Sequence, residues 1–337
     1  MMMLFPSVSL LLSAPAIAAA ALGSPQIDLQ QPLHEGTSHF SKIPSLGFGT
    51  WNLDKTNVSE AVSAALHTGY RHIDCAAIYG NQKAVGKGIA HGLESLNLDR
   101  SDIWVTSKLW NDHHDPSLVE EALTQTLHDL GLAYLDLWLM HWPVGNAPLT
   151  GKSQLDYLQA WHAMEKMHKT GRVRNIGLSN FSPAQLKDVI EQSESVPAVH
   201  QFEVHPYLPQ TKWIKYQQKL GISVTAYSPF ANTNPTYNSG KHDPPLLLTN
   251  FDMLAVAAKN GCTTAQVALV WGMSRGYSVI PKSSHVDHIK ENFGALRCHL
   301  EEEDLDRVDQ ISKNYLKRFN NPSKGYGVKL FDGLEDA

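Results

Sequence analysis

Cysteine is scarce in this chain. Cys75, Cys262 and Cys298 are the only three in 337 residues, and an odd number without metal-type spacing is poor material for a disulfide framework, so a reducing compartment is expected. No dense run of Lys or Arg occurs either. With 28 basic and 33 acidic residues the net charge is −5, which gives no footprint for nucleic acid and points to a small-molecule partner. No GxGxxG turn follows the first apolar strand, so a Rossmann-type dinucleotide site is absent. His113-His114 and His285-x-x-His288 lack Cys or carboxylate ligands at defined spacing, so no metal is expected. No Lys or Arg occurs before Lys42. Leu4 to Gly23 is apolar and small-residue-rich, resembling the hydrophobic core and cleavage zone of a secretory signal without its charged start. Pro6 and Pro15 weigh against a spanning helix, and no membrane partner is expected. Residues 1–35 are therefore set apart as a signal-like or disordered extension, and residues 36–337 are read as one domain.

What remains has an ordinary globular composition, 42% hydrophobic and 18% charged, with enough apolar material for a sizeable core. From Ile43 onward a short apolar strand, a polar turn and an amphipathic helix recur at intervals of roughly 30 to 40 residues, the signature of parallel βα repeats. The expected strands are Leu46–Thr50, Arg71–Cys75, Ile103–Ser107, Leu135–Met140, Asn175–Ser179, Ala198–Val204, Ser223–Tyr227 and Ser278–Pro281. Their near-continuous Val, Ile, Leu and Trp content suits strands covered on both faces. Asn57-x-x-Glu60, Ser117-x-x-Glu120, Ser182-x-x-Gln185 and Thr263-x-x-Gln266 each have the spacing of a helix-opening capping box. Leu118, Val119, Ala122, Leu123, Leu127 and Leu130 form one helical stripe that stops at Gly131. The fold class is α/β: a single (β/α)8 TIM barrel, with an irregular loop after strand 7 (Ala231 to Leu248) and a C-terminal tail from about Lys317 to Ala337 over the barrel mouth.

Chemistry-bearing residues collect at the expected strand ends. Tyr70-Arg-His-Ile-Asp-Cys-Ala-Ala-Ile-Tyr79 ends a strand with Asp74 and delivers a phenol five residues later. Ile103 to Lys108 ends in an ammonium, and Leu135 to His141 ends in an imidazole. A parallel barrel gathers these ends on its C-terminal face. Tyr79 could protonate a carbonyl oxygen if Lys108 lowered its pKa, Asp74 held Lys108 in place, and His141 hydrogen-bonded the substrate. Such a set supplies no electrons, so a nucleotide cofactor is expected at the remaining ends: Ser179, Asn180, Gln201, Tyr227, Ser228 and Pro281-Lys-Ser-Ser284. Singly, each residue has an ordinary structural explanation: a turn carboxylate, a rim tyrosine, a satisfied core histidine, a helix cap, a solvated lysine. Only their joint placement argues for chemistry. Two rivals are a non-catalytic nucleotide-binding barrel acting as a regulatory subunit, and a barrel hydrolase built on Asp74 and His141, which lacks a second placed carboxylate.

Three longer motifs give the chain a family likeness from about Ile43 to the tail. Gly69-Tyr-Arg-His-Ile-Asp-x4-Tyr-x-Asn81, the stretch from Trp161 through Met164-Glu165 and Gly171 to Ile176-Gly-Leu-Ser-Asn-Phe181, and Ile280-Pro-Lys-Ser-x4-His-Ile-x-Glu-Asn292 resemble the three signatures of the aldo-keto reductases. That resemblance implies a catalytic set of Asp74, Tyr79, Lys108 and His141, with NADPH extended across the barrel mouth. Thr50, Trp51 and Asp74 would border the cofactor, with Ser179, Asn180 and Gln201 on the carboxamide, Tyr227 on the nicotinamide and Ser228 beside it. Lys282, Ser283 and His288 would address the 2′-phosphate, and Glu291 and Asn292 the adenine. Where the third motif usually carries arginine this chain has His288, without the planar fork suited to phosphate, so NADH use is possible as well. Trp51, Trp110, His141, Trp142 and Phe230 would line a pocket for small aldehydes or sugar-derived carbonyls. The tail Arg318-Phe-Asn-Asn-Pro-Ser is similar to that of fungal aldehyde reductases and glycerol dehydrogenases in the family. A monomer or weak dimer is expected. The cytoplasm, with its NADPH supply, is the expected location and the secretory pathway the alternative. Of two glycosylation sequons, the one at Asn180 would put a glycan in the cofactor site.

Overall fold

The computed structural model describes residues 30–32, 42–145, 157–237 and 244–335. The signal-like stretch Leu4–Gly23 lies outside the described residues, as does part of the loop after strand 7. Eight short parallel strands form one sheet: β1 Phe48–Gly49, β2 His72–Asp74, β3 Trp104–Leu109, β4 Leu137–Met140, β5 Ile176–Ser179, β6 Val199–Glu203, β7 Ser223–Tyr227 and β8 Ser278–Val279. Each pairs with the next in chain order. Leu46 bridges in parallel to Val279, and Gly47 and Gly49 donate to the carbonyls of Val279 and Pro281 at 2.9 Å. The first and last strands therefore meet, and the sheet closes into the expected (β/α)8 barrel.

Helices α1 Val58–Thr68, α2 Gln82–Leu96, α3 Val119–Leu130, α4 Tyr157–Lys169, α5 Pro183–Gln192 and α6 Thr211–Lys219 follow the first six strands. Two helices, α7 Phe251–Asn260 and α8 Thr264–Met273, separate β7 from β8, and α9 Val286–Phe293 follows β8. Gly131 ends α3 at φ +66°, the left-handed turn that glycine takes without steric cost. Most of the core lies between the strands and this helical coat. Inside the barrel, Leu137, Leu139, Trp104 and Val199 form a separate cluster with Ile43. Ile43 sits on a short hairpin in which Gln30–Pro32 runs antiparallel to Lys42–Pro44, so a strand falls within the residues set apart as an extension. Among the described residues no helix is long and apolar enough to cross a membrane.

Two of the four expected capping boxes form, at Ser182/Gln185 and Thr263/Gln266. Asn57 makes no side-chain cap, and Ser117 turns back to Asp115, whose Oδ1 accepts both its N–H (2.9 Å) and its hydroxyl (2.7 Å). An aspartate two residues upstream takes the Ser117 N–H that the box would give to Glu120, an interaction that box spacing alone does not reveal.

The cysteine expectation fails. Cys262, between α7 and α8, is bonded to Cys298, just past α9, with Cα atoms 5.9 Å apart, and Cys75 is the free, buried thiol. Two cysteines 36 positions apart become neighbours only because β8 turns α9 back onto α8. Closing a loop of that length restricts the unfolded chain, and removing the bridge by Cys298→Ser is expected to cost about 3–4 kcal/mol. Urea melts of variant and wild type check this. Denatured, unreduced protein should show one titratable thiol rather than three.

Candidate active site

Three strand ends build the floor of the site. Asp74 closes β2, Lys108 comes from β3, and Tyr79 arrives on the short turn Ala77–Tyr79 that follows β2. Lys108 Nζ donates to Asp74 Oδ1 at 2.5 Å, to the Cys75 carbonyl at 3.0 Å and to Tyr79 Oη at 3.3 Å. The other Asp74 oxygen accepts from Gln201 Nε2 at 2.7 Å, so both lone-pair faces of a buried carboxylate are engaged. The Lys108 and Asp74 side chains are only 1% and 3% exposed. A pair this dry is held by its hydrogen bonds as much as by its charges. His141, one residue past β4, meets the Tyr79 ring edge-on at 5.8 Å, with Trp110 at 5.1 Å and Trp142 stacked at 6.3 Å.

Burial drives the Tyr79 phenol up to about 12, against the pull of Lys108. This reverses the expectation of a lowered phenol: the low-dielectric pocket and the nearby Asp74 charge oppose the phenolate more than one ammonium favours it. Burial also works against the charge of Lys108, yet Asp74 and Tyr79 hold its pKa above the ordinary lysine value. Burial, with Lys108 and His114, pushes His141 well below its usual range, so at neutral pH it is a neutral hydrogen-bonding ring. The arrangement is a protonated phenol whose conjugate base would face a permanent cation.

A cavity of about 430 Å³ opens above this floor. Trp51, Asp74, Tyr79, Trp110, His141, Trp142, Asn180, Gln201, Tyr227, Ser228, Phe230 and Lys282 line it, so the structure gathers most of the sequence-derived residues in one place. Asn180 and Ser228, just past β5 and β7, have φ of +65° and +51°. Non-glycine residues seldom adopt this region, and such strain is concentrated at working sites. Tyr227 Oη donates to Asn180 Oδ1 at 2.8 Å, and Asn180 Nδ2 donates to Ser179 Oγ and to the His141 carbonyl, both at 3.0 Å. Thr50 and Ser179 are buried behind the wall, Thr50 Oγ1 donating to the Asp74 carbonyl at 2.9 Å. Ser283, His288, Glu291 and Asn292 do not line this cavity; they sit on the β8–α9 segment, His288 exposed and packed edge-on to His285. His113 pairs with Asp112 at 2.5 Å. Among the described residues no three His, Cys, Asp or Glu side chains are grouped to share a metal ion.

Sequence reasoning missed several wall residues. Tyr237, which packs against Trp51 at 5.6 Å, comes from the irregular loop and carried no signal. Asn320, Pro322 and Tyr326 belong to the tail, where the motif was noticed but not which of its residues reach inward.

The sequence profile of the Aldo/keto reductase family matches residues 45–313. The chain belongs to that family. It is 43% identical over 320 residues to an uncharacterised oxidoreductase of Schizosaccharomyces pombe, covering 91% of this chain and 96% of that protein. Its identity to the D/L-glyceraldehyde reductase of Hypocrea jecorina is 41% over 318 residues, 88% and 93% of the two chains. The aldose reductase structure from Giardia lamblia superimposes with a TM-score of 0.78 at 36% identity, covering 86% of this chain and 98% of that one. The protein is thus an NAD(P)H-dependent aldo-keto reductase. Its residues fit such a cofactor. Lys282 is a half-buried cation on the cavity wall with no ion-pair partner among the described residues, and burial lowers its pKa. An aromatic ring and amide side chains line the same cavity at Tyr227, Asn180 and Gln201, suited to a flat ring and a carboxamide.

Proposed function

We propose that this reductase converts small aldehydes or sugar-derived carbonyls to alcohols, reversibly, with Tyr79 as general acid. The observation that carries the reading is the contact of Lys108 Nζ with both Asp74 Oδ1 (2.5 Å) and Tyr79 Oη (3.3 Å) on the floor of an aromatic-lined cavity. A reduced nicotinamide, when bound, supplies the hydride. Tyr79 gives its proton to the carbonyl oxygen, Lys108 stabilises the phenolate left behind, and Asp74 keeps Lys108 charged in a place too dry for a lone ammonium. His141, neutral, orients the carbonyl by hydrogen bonding. Ser179, Asn180 and Gln201 would read the carboxamide, Tyr227 would stack on the ring with Trp51 and Ser228 beside it, and Lys282, Ser283, His288, Glu291 and Asn292 would hold the adenosine end. Trp51, Trp110, Trp142 and Phe230 give the substrate an apolar, aromatic wall, and the likeness to a glyceraldehyde reductase supports short hydroxyaldehydes as first substrates.

Following the absorbance of reduced nicotinamide during turnover of DL-glyceraldehyde tests the proposal. A protein that binds NADPH tightly yet reduces no small aldehyde would favour the non-catalytic barrel instead. NADPH is the proposed coenzyme, with NADH as an alternate. An imidazole at position 288 offers a phosphate no bidentate fork. His288→Arg is therefore expected to lower KM for NADPH by roughly 3- to 10-fold and leave KM for NADH within about twofold. Steady-state kinetics with both coenzymes decide it, and equal changes for the two would sink the role given to His288.

A further inference from the structure

Strand β6 carries a second buried carboxylate, which the chemistry at Tyr79 does not use. Glu203 lies two residues beyond Gln201, and the period of a strand puts both side chains on one face. Gln201 holds Asp74; Glu203 holds the tail. Its two oxygens accept from two successive backbone amides, Phe319 N at 2.8 Å and Asn320 N at 2.9 Å. Oε1 also meets His205 Nε2 at 2.9 Å. Glu203 and His205 are fully buried, and Arg318 nearly so. Burial alone would raise the pKa of Glu203, but His205, Arg318 and the Phe319 amide hold it below the ordinary carboxylate range, so the anchor is an ion.

The gripped segment then turns into the cavity. Asn320 Nδ2 donates to Tyr227 Oη at 3.1 Å, which links the tail to Asn180, and Asn320, Pro322 and Tyr326 form the outer wall. Arg318 draws the far end of the tail to the same anchor: its guanidinium lies 4.1 Å over the Phe331 ring and donates to the Glu335 carbonyl at 2.9 Å. Phe331 in turn packs edge-on against Trp142 at 6.2 Å.

We infer that Glu203 is a positioning residue for substrate recognition: its carboxylate latches the C-terminal tail at Phe319 and Asn320 and so builds the outer pocket wall that longer aldehydes bind against. The inference rests on the reductase reading of this cavity and specifies how the site discriminates by substrate length. A short aldehyde touches only the floor, at Tyr79, His141 and Trp110. A longer one reaches Pro322 and Tyr326. A glutamine at position 203 has one acceptor oxygen, and its amide nitrogen would face an N–H, so one tail amide would be left buried and unpaired.

The test compares propanal and hexanal as substrates for the wild type, Glu203→Gln and Glu203→Asp, with limited tryptic cleavage at Lys317, Arg318 and Lys324 as a readout independent of activity. Glu203→Gln is expected to raise KM for hexanal about tenfold, with KM for propanal and both kcat values within about threefold, and to speed cleavage of the tail. Glu203→Asp keeps the charge and should recover part of the hexanal affinity. Equal KM changes for the two aldehydes, or a tail cut no faster than in the wild type, would overturn the inference. If Glu203→Gln does not fold, Arg318→Ala weakens the same anchor from the tail side and is read by the same KM criteria, with tryptic cleavage followed at Lys317 and Lys324. A wild type that turns over neither aldehyde sinks the reductase reading, while the tryptic comparison still decides the latch.

Discussion

Replacing Tyr79 with phenylalanine is expected to cut aldehyde reduction by roughly 10²- to 10⁴-fold, the usual contribution of a positioned general acid. The substitution removes one oxygen from a half-buried ring whose contacts with His141 and Lys108 are otherwise kept. Coenzyme affinity should therefore change by less than about twofold, a pattern that marks an interaction made in the transition state. The pKa carries a second, directional expectation. With the phenol pushed up to about 12 by burial, the acid form persists throughout the neutral range. Reduction should not lose its proton donor between about pH 6 and 9, whereas alcohol oxidation, which needs the phenolate as base, should accelerate as pH rises. Stopped-flow or steady-state rates in both directions across that range provide the check. Undiminished turnover by Tyr79→Phe would remove the acid assigned here.

Lys108→Met should affect both activity and stability. Asp74 would keep the Gln201 amide but lose its counter-charge at a position 2% exposed, and stranding a buried ion in this way costs about 3–5 kcal/mol. Turnover should fall by at least about 10²-fold as well, because Lys108 is the cation, among the described residues, that bonds the phenolic oxygen and would receive the developing phenolate. The two effects are separable. Lys108→Met combined with Asp74→Leu removes both charges and should regain much of the lost stability, since an apolar pair of similar volume commonly replaces a buried ion pair without penalty. It should regain none of the activity. Chemical denaturation of the two variants alongside their aldehyde kinetics tests this, and a double variant no more stable than the single one would mean that Asp74 is not stranded when Lys108 is lost.

Much of this could be read from residue order. All eight strands were legible because the barrel gives each one a continuous apolar run bounded by a turn; six needed only trimming by a residue or two, and the third starts one residue later and runs two residues further, to Leu109. Asp74, Tyr79, Lys108 and His141 were legible for a related reason: strand ends of a parallel barrel share one rim, so their position along the chain already implies their position in space. The capping signals were only half reliable, because Asp115 takes the Ser117 N–H and spacing does not rank competitors. The Cys262–Cys298 bridge was not legible, since a separation of 36 positions along the chain says nothing about a Cα separation of 5.9 Å. Nor was the grip of Glu203 on the tail, which joins residues more than a hundred positions apart through backbone amides that any sequence would possess.

By itself the sequence determined the architecture and which strand ends share the barrel mouth, because hydrophobic period and chain order are local properties that a parallel barrel converts directly into geometry. Only the tertiary structure decided which cysteines pair, which way the Tyr79 phenol shifts and what encloses the outer pocket. Those depend on distance and on exclusion of water, and both arise only when segments far apart in the chain pack against one another.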